Sequence, residues 1–271
     1  MSEPQAFHDF EHAGWEKLPQ RYHDAFSTLT TQAIEPLLDA AGVKHDVRLL
    51  DVATGPGYVA AAAAQRGASA IGIDFAAAMV NEARKRNPGI EFRHGDAEAL
   101  AFDDASFDAV TMNFGLLHLA RPERALAEAH RVLRPGGRVA FTVWAKPEGA
   151  VAFGIVLRAI EKHGKTDVGL PAGPPFFRFS DAEECCGTLQ AAGFADAEMT
   201  VVRQTWCLPS AEALFQMMYD STVRTGGLLR AQTPQALRAI RAEITEAVRK
   251  YQAAERVELP MPAVLASARK S

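Results

Sequence analysis

Three aspartates and a glycine turn hold the chemistry this sequence is equipped for. Asp51 sits in the apolar run R-L-L-D-V, Asp74 ends S-A-I-G-I-D, and Asp96 stands in H-G-D-A after a third such run. Thr54-Gly55-Pro56-Gly57 follows the first run and opens onto an alanine-rich stretch. A Gly-x-Gly turn between strand and helix makes a backbone nest, whose unpaired N–H groups and positive helix end suit an anionic or polar ligand. Gly55 and Gly57 would let the main chain approach that ligand with no Cβ in the way. Asp74 comes 19 positions after Gly55, where an acid can accept both hydroxyls of a ribose. Asp96 is placed to bond an exocyclic amine, and Asn113-Phe114 leaves the fourth strand. His118, just beyond, is the candidate general base; its alternative is a histidine that lines the pocket or caps the next helix.

Two nucleoside ligands compete for this arrangement. Gly55-Pro56-Gly57-Tyr58-Val59-Ala60 also matches G-x-G-x-x-A, a dinucleotide fingerprint with Asp74 as its ribose acid. Asp51 argues the other way. A carboxylate beside a pyrophosphate is repelled, whereas the ammonium of an amino-acid tail is attracted. That contrast favours S-adenosylmethionine over NAD. Methyl transfer from a sulfonium asks the protein chiefly for alignment and exclusion of water. A base matters when the acceptor keeps its proton, as a phenol with a pKa of about 10 does.

These residues need a frame, and the pattern from residue 46 onward supplies one. Strands over 47–52, 69–74, 90–94, 107–112 and 138–144 alternate with helices over 58–66, 75–87 and 121–133, with stops at Gly67, Pro88-Gly89 and Pro135-Gly136-Gly137. Such βα alternation argues for a doubly wound, mostly parallel sheet with helices on both faces. Before it, Trp15, Leu18, Tyr22, Phe26 and Leu29 recur at helical spacing, and a second helical run over 31–41 ends at Gly42. Trp15 and Tyr22 either face a ligand from a lid or pack on the sheet. After Trp144 the spacing changes to an inserted helix near 150–163 and a loop rich in Pro, Gly and Phe. There Phe176 and Phe177 either roof an apolar acceptor or anchor the loop. Ser180, with Glu183 three residues on, caps a helix that ends at Gly193. A strand over 197–206, helices over 210–224 and 234–253 and a strand over 261–268 complete the pattern. The expected organisation is one structural domain: a helical lid over 1–45, a cofactor-binding core over 46–145, an inserted cap over 146–180, and completion of the sheet over 181–271.

Composition bounds the partners. The chain has 271 residues, 48% of them hydrophobic, enough for a sizeable core. A net charge of −4 gives no footprint for nucleic acid. The opening residues lack a secretory pattern, and no apolar run reaches the length of a membrane span. Cys185, Cys186 and Cys207 suggest neither a disulfide framework nor metal-ligand spacing, and His8 with His12 lacks a third ligand. A cytoplasmic protein with a small-molecule substrate, no metal and no membrane span is the expectation.

The segments L-L-D-V-A-T-G-P-G, G-I-D-F, H-G-D-A-E-A-L-A-F, S-F-D-A-V and H-R-V-L-R-P-G-G-R-V-A-F resemble the class I S-adenosylmethionine-dependent methyltransferases, especially the ubiquinone/menaquinone-biosynthesis-like branch (methyltransferase type 11). The likeness covers roughly residues 46–145, with a weaker echo in F-S-D-A-E and L-Q-A-A-G-F. It implies a Rossmann-like, seven-stranded sheet with S-adenosylmethionine as cofactor. It implies too that Asp51, Gly55 and Gly57 hold the methionine part, Asp74 the ribose, and Asp96 with Ala97 the adenine. Main chain near Asn113 and Phe114 would complete a pocket to which Ala53, Thr54, Phe75, Met79 and His118 also belong. Ala53 stands where many members have the first glycine of D-x-G-x-G-x-G, which an alanine tolerates if its φ is negative. Asn113-Phe114-Gly115-Leu116 departs from the segments used for DNA amino-methylation and cytosine methylation, and the paired glutamates of protein-arginine methylation are missing. Methyl transfer to a small acceptor through O, N or C is the leading function. An NAD(P)-linked oxidoreductase and a catalytically silent S-adenosylmethionine-binding protein are the alternatives.

Overall fold

The computed structural model describes residues 2–271. The chain opens with helices α1 (Glu3–Trp15), α2 (Pro19–Thr30) and, after a 3-10 turn, α3 (Ile34–Ala40). The alternating core follows as β1 (Arg48–Val52), α4 (Tyr58–Gln65), β2 (Ser69–Asp74), α5 (Ala77–Arg86), β3 (Glu91–His94), β4 (Phe107–Asn113), α6 (Pro122–Val132) and β5 (Leu133–Trp144). Then come α7 (Val151–His163), α8 (Ala182–Ala191), β6 (Phe194–Val202), β7 (Thr205–Leu208), α9 (Ala213–Ser221), α10 (Arg224–Arg230) and α11 (Pro234–Arg249). A hairpin, β8 (Gln252–Ala253) with β9 (Arg256–Pro260), leads into the last strand, β10 (Ala263–Lys270).

Leu49 and Leu50 show how the layers arise. Neighbours on a strand point to opposite faces, and both leucines are fully buried. Leu49 packs with Leu37, Leu38 and Val59, whereas Leu50 belongs to the larger cluster on the other side. A strand apolar on both faces belongs in the middle of a helix-covered parallel sheet. Cutting either side chain back to alanine costs about 2–5 kcal/mol. The sheet has seven strands in the order β3-β2-β1-β4-β5-β10-β6, and β10 runs antiparallel to both its neighbours. Strand order reverses between β1 and β4, and at such a switch point a crevice opens beyond the carboxyl ends of the strands.

The N-terminal run is interrupted where one apolar face was expected. Glu16-Lys17-Leu18 separates α1 from α2, because Pro19 has no N–H to continue a helix and takes its first position instead. Leu29, Ala33, Leu37 and Leu38 have no exposed surface. The inner half of α2 and the apolar face of α3 therefore belong to the core, with α3 packed against β4, β5 and β10.

Other boundaries move for physical reasons. The expected strand over 197–206 is two strands in different sheets, since the chain turns at Gln204, whose side chain donates to Leu29 O (2.8 Å) while its carbonyl accepts from Met261 N–H (2.9 Å). β7, β9 and β8 form the second sheet. It braces α2 through Trp206, whose ring lies 4.7 Å from Phe26 and whose Nε1–H donates to Ala25 O (3.0 Å). The N-cap of α8 is Asp181 rather than Ser180, because its carboxylate accepts from the N–H groups of Glu183 and Glu184. Three helices, not two, lie between residues 210 and 253: the expected first helix ends at Ser221, and α10 is a separate turn of chain. β5 starts directly after α6, with a register shift carrying the Pro-Gly-Gly stretch.

Candidate active site

β1 delivers Asp51 to the switch point almost wholly buried, at 1% exposure. Thr54 Oγ1 donates to its Oδ2 at 2.5 Å and Thr111 Oγ1 to its Oδ1 at 3.0 Å. Two hydroxyls do not replace full hydration, so burial raises the Asp51 pKa to about 7. On β2, Asp74 Oδ2 accepts the Gly55 N–H and Oδ1 the Ala76 N–H, each at 2.9 Å. Burial raises its pKa to about 6.

This pairing changes the reading of the glycine turn. Gly55 N–H goes to Asp74, Thr54 N–H to Ile73 O and Gly57 N–H to Thr54 O. The turn's donors are thus taken by the protein instead of waiting for an anion. Two buried carboxylates stand where a pyrophosphate would need positive charge. The glycines also divide their work. Gly55, at φ +52°, has open space where a Cβ would lie, whereas a Cβ on Gly57 (φ +84°) would meet the Phe92 ring at 2.7 Å and Asn87 at 2.9 Å. Gly57 serves the packing of α4 on the sheet and does not line the cavity.

Ala53 departs from expectation. Its φ is +53°, left-handed, so the condition under which an alanine is tolerated there without strain is not met, and the conformation costs a residue with a Cβ about 1–2 kcal/mol. Its methyl faces Gly115 closely enough that a Cβ there would lie 2.6 Å away. Phe114, across the crevice at the end of β4, has φ +56°. Its N–H donates to Thr142 O and Thr142 Oγ1, and its ring stacks on Trp144 at 4.0 Å. Asn113 bridges Thr142 Oγ1 (2.6 Å) and Thr30 O (3.1 Å). Strained residues of this kind cluster at functional sites.

One cavity gathers these groups. Counted to its open mouth it holds about 1200 Å³ of empty space, and Asp51, Ala53, Thr54, Gly55, Asp74, Phe75, Met79, Asp96, Ala97, Asn113, Phe114 and His118 all line it. Trp15, Tyr22 and Phe176 of the expected lid and cap line it too. Phe177 does not; its ring stands edge-on behind Phe176 and Phe153, so it anchors the loop. Asp96 Oδ1 accepts the Glu98 N–H at 2.8 Å, and its Oδ2 lies 3.6 Å from His8 Nε2. His8 and His12 stack on each other at 6.4 Å with their edges to Phe75. Among the described residues, no three His, Cys, Asp or Glu side chains group as metal ligands.

α1 and α2 form the outer wall and are fastened to the core. Glu16 accepts the N–H groups of Ala77 (2.5 Å) and Ala78 (3.1 Å), capping α5 from outside. His23 contacts the Tyr58 hydroxyl, and Tyr22 OH donates to Thr30 Oγ1 at 3.3 Å. Burial lifts the Tyr22 pKa to about 12, so its hydroxyl keeps its proton.

His118 is held by a residue that the sequence reading passed over. Its Nδ1 lies 3.0 Å from Glu11 Oε2, which also accepts the Trp15 Nε1–H at 3.0 Å. Glu11 has no exposed surface, and its Oε1 has no hydrogen-bond partner among the described residues. Phe7, Glu11 and Trp15 recur every four residues on α1, so an acid within an apolar stripe was the signal. A carboxylate on Nδ1 fixes the tautomer that leaves Nε2 able to accept a proton. Trp144, Phe153 and Arg224 also line the cavity, and only the tertiary fold brings them there.

The site suits an adenosyl ligand with an amino-acid tail: buried carboxylates for an ammonium and a ribose, a Cβ-free approach at Gly55, and an apolar slot of Phe75, Met79 and Ala97 for a flat base. Comparisons point the same way. A methyltransferase-domain family model matches residues 50–141. A demethylmenaquinone methyltransferase of Clavibacter sepedonicus is 35% identical over 181 residues, 62% of this chain and 71% of that protein. Its counterpart from Renibacterium salmoninarum is 41% identical over 111 residues, 41% of this chain and 47% of that protein. The match thus spans about half the length of that second relative. A solved S-adenosylmethionine-dependent methyltransferase of Thermotoga maritima shares the fold, with a TM-score of 0.57 at 20% identity over 96% of this chain and 100% of its own. The chain belongs to the class I S-adenosylmethionine-dependent methyltransferases, in the menaquinone/ubiquinone-like branch, and S-adenosylmethionine is its cofactor.

Proposed function

We propose that this protein methylates a small, flat acceptor, at a hydroxyl that must lose its proton as it reacts. The observation that carries the reading is the Glu11–His118 pair on the wall of the donor cavity. In this reading Asp51 and the Thr54–Gly55 turn hold the donor's methionine part, Asp74 its ribose, and Asp96 with Ala97 its adenine. Phe75, Met79, Ala53 and main chain at Asn113 and Phe114 close the slot. The bound donor supplies a methyl group on a positively charged sulfur, with a neutral thioether as leaving group.

The chain's own residues do the rest. Trp15, Tyr22 and Phe176 exclude water, which strengthens each charge interaction inside. His118 Nε2 accepts the hydroxyl proton while Glu11 holds the ring and balances the imidazolium. α1 and the first turn of α2 act as a lid, since Trp15 and Tyr22 reach the cavity from them. A dinucleotide is disfavoured by the two buried acids. The net charge of −4 supports a small-molecule substrate over nucleic acid. Three free cysteines fit a cytoplasmic location, and no helix among the described residues is long and apolar enough to cross a membrane.

The test is methyl transfer from labelled S-adenosylmethionine to a panel of phenols, quinols and amines. Turnover of hydroxylated aromatics is expected, with rates in His118→Ala about 100-fold lower or more. Silence across the panel despite tight donor binding would favour a protein that binds without turnover, and equal activity in His118→Ala would refute the base assignment.

A further inference from the structure

Among the described residues, one half-buried cation lines the cavity, and no carboxylate pairs with it. Arg224 opens α10, and its guanidinium sits against the rings of Phe7 and Phe176, 5.1 and 5.2 Å from their centroids. One N–H donor reaches Pro174 O at 3.1 Å. Among the described residues it forms no ion pair within 4.0 Å. Burial holds its pKa below the ordinary arginine value, and Glu11 is the charge that offsets this. Arg224 and His118 both stand against the Phe176 ring, and His118 bonds Glu11, so Arg224 shares the wall of the cavity that carries the candidate base.

Resting on the methyl-transfer reading above, we propose that Arg224 anchors a carboxylate of the acceptor, which makes the acceptor a small aromatic acid. Four lines of chemistry lead there. Among the described residues Arg224 is the one Lys or Arg on the cavity lining, so a monoanion is neutralised in full while a phosphate dianion would leave charge unpaired there. A planar guanidinium pairs with a carboxylate through two parallel bonds, and one carbonyl contact leaves donors for both. Trp15, Phe114, Trp144, Phe153 and Phe176 give the same space flat apolar walls, which suit a ring. Charge also balances: once His118 has taken a proton it is neutralised by Glu11, and Arg224 then needs an anion of its own. The plainer role, a clamp on the 164–180 loop through Pro174, predicts no preference among acceptors.

The test titrates the protein, saturated with S-adenosylhomocysteine, with hydroxybenzoates and their methyl esters as matched pairs in a calorimeter. At least one acid is expected to bind about tenfold or more tightly than its ester. Arg224→Gln should erase that preference and Arg224→Lys should keep part of it, with S-adenosylhomocysteine affinity held within about twofold in both. Because the acid–ester comparison is made on the wild-type protein, it decides the matter even where a variant does not fold. Esters binding as tightly as acids, or no acid binding, would overturn the proposal. So would Arg224→Gln weakening S-adenosylhomocysteine while the acid preference persists, since Arg224 would then hold the donor's carboxylate. Failure of wild-type protein to bind S-adenosylhomocysteine would instead remove the methyl-transfer reading itself.

Discussion

Asp51→Asn separates the two things its carboxylate does. In the ligand-free protein the buried acid has its pKa raised to about 7 from 3.8, chiefly by desolvation. A folded-state value above the unfolded one favours folding fully below the unfolded value, and the contribution is lost as pH rises through about 7. The gap between 3.8 and about 7 corresponds to roughly 4 kcal/mol at most. Asparagine is close in shape, can pair with the Thr54 and Thr111 hydroxyls and does not titrate. Urea unfolding of both proteins should therefore show the wild type losing about 2–3 kcal/mol relative to the variant between about pH 5 and pH 8. S-adenosylhomocysteine should reverse the order, since its ammonium pulls the Asp51 pKa back down. The wild type should gain several degrees of Tm at about pH 8 and the variant little. Stability curves that stay parallel across that range, or a variant that the ligand stabilises as well as the wild type, would refute the reasoning.

Two further perturbations follow from the same geometry. Gly115→Ala sets two methyls 2.6 Å apart and should destabilise by about 1–3 kcal/mol; in an Ala53→Gly background most of that loss should vanish, and an additive double-mutant cycle would show that the contact does not govern either position. Glu11→Gln leaves His118 without its anionic partner, so the methylation rate should fall by about 10–100-fold. That loss should shrink at high pH and with more acidic phenols, where the acceptor ionises unaided; a uniform loss at every pH would mark Glu11 as structural.

Much of the core could be read directly because its elements obey one local rule each. Ser69–Asp74 is bounded as expected, since an apolar run between Gly67 and a terminal acid has one good solution in a parallel sheet. Asp51, Asp74 and Asp96 meet in one cavity because parallel strands bring all their carboxyl ends to the same edge. What was hidden depends on distant partners. Ala53 carries no local sign of a positive φ, for which the missing Cβ at distant Gly115 makes room. The run over 197–206 alternates throughout, and only the anchoring of Gln204 to α2 divides it. β8 and β9 lie just where the helical pattern of α11 fades, and they become strands by pairing with each other and with β7. Arg224 looks like any helix-opening cation until Phe7 and Phe176 close around it.

Which ligand Asp51 and Asp74 receive decides the function. Calorimetric titration with S-adenosylhomocysteine and, separately, with NADH tests it most directly. Micromolar-range binding of S-adenosylhomocysteine, weakened about tenfold or more by Asp74→Asn, with no heat from NADH, is the predicted result. Heat from NADH and none from S-adenosylhomocysteine would contradict it.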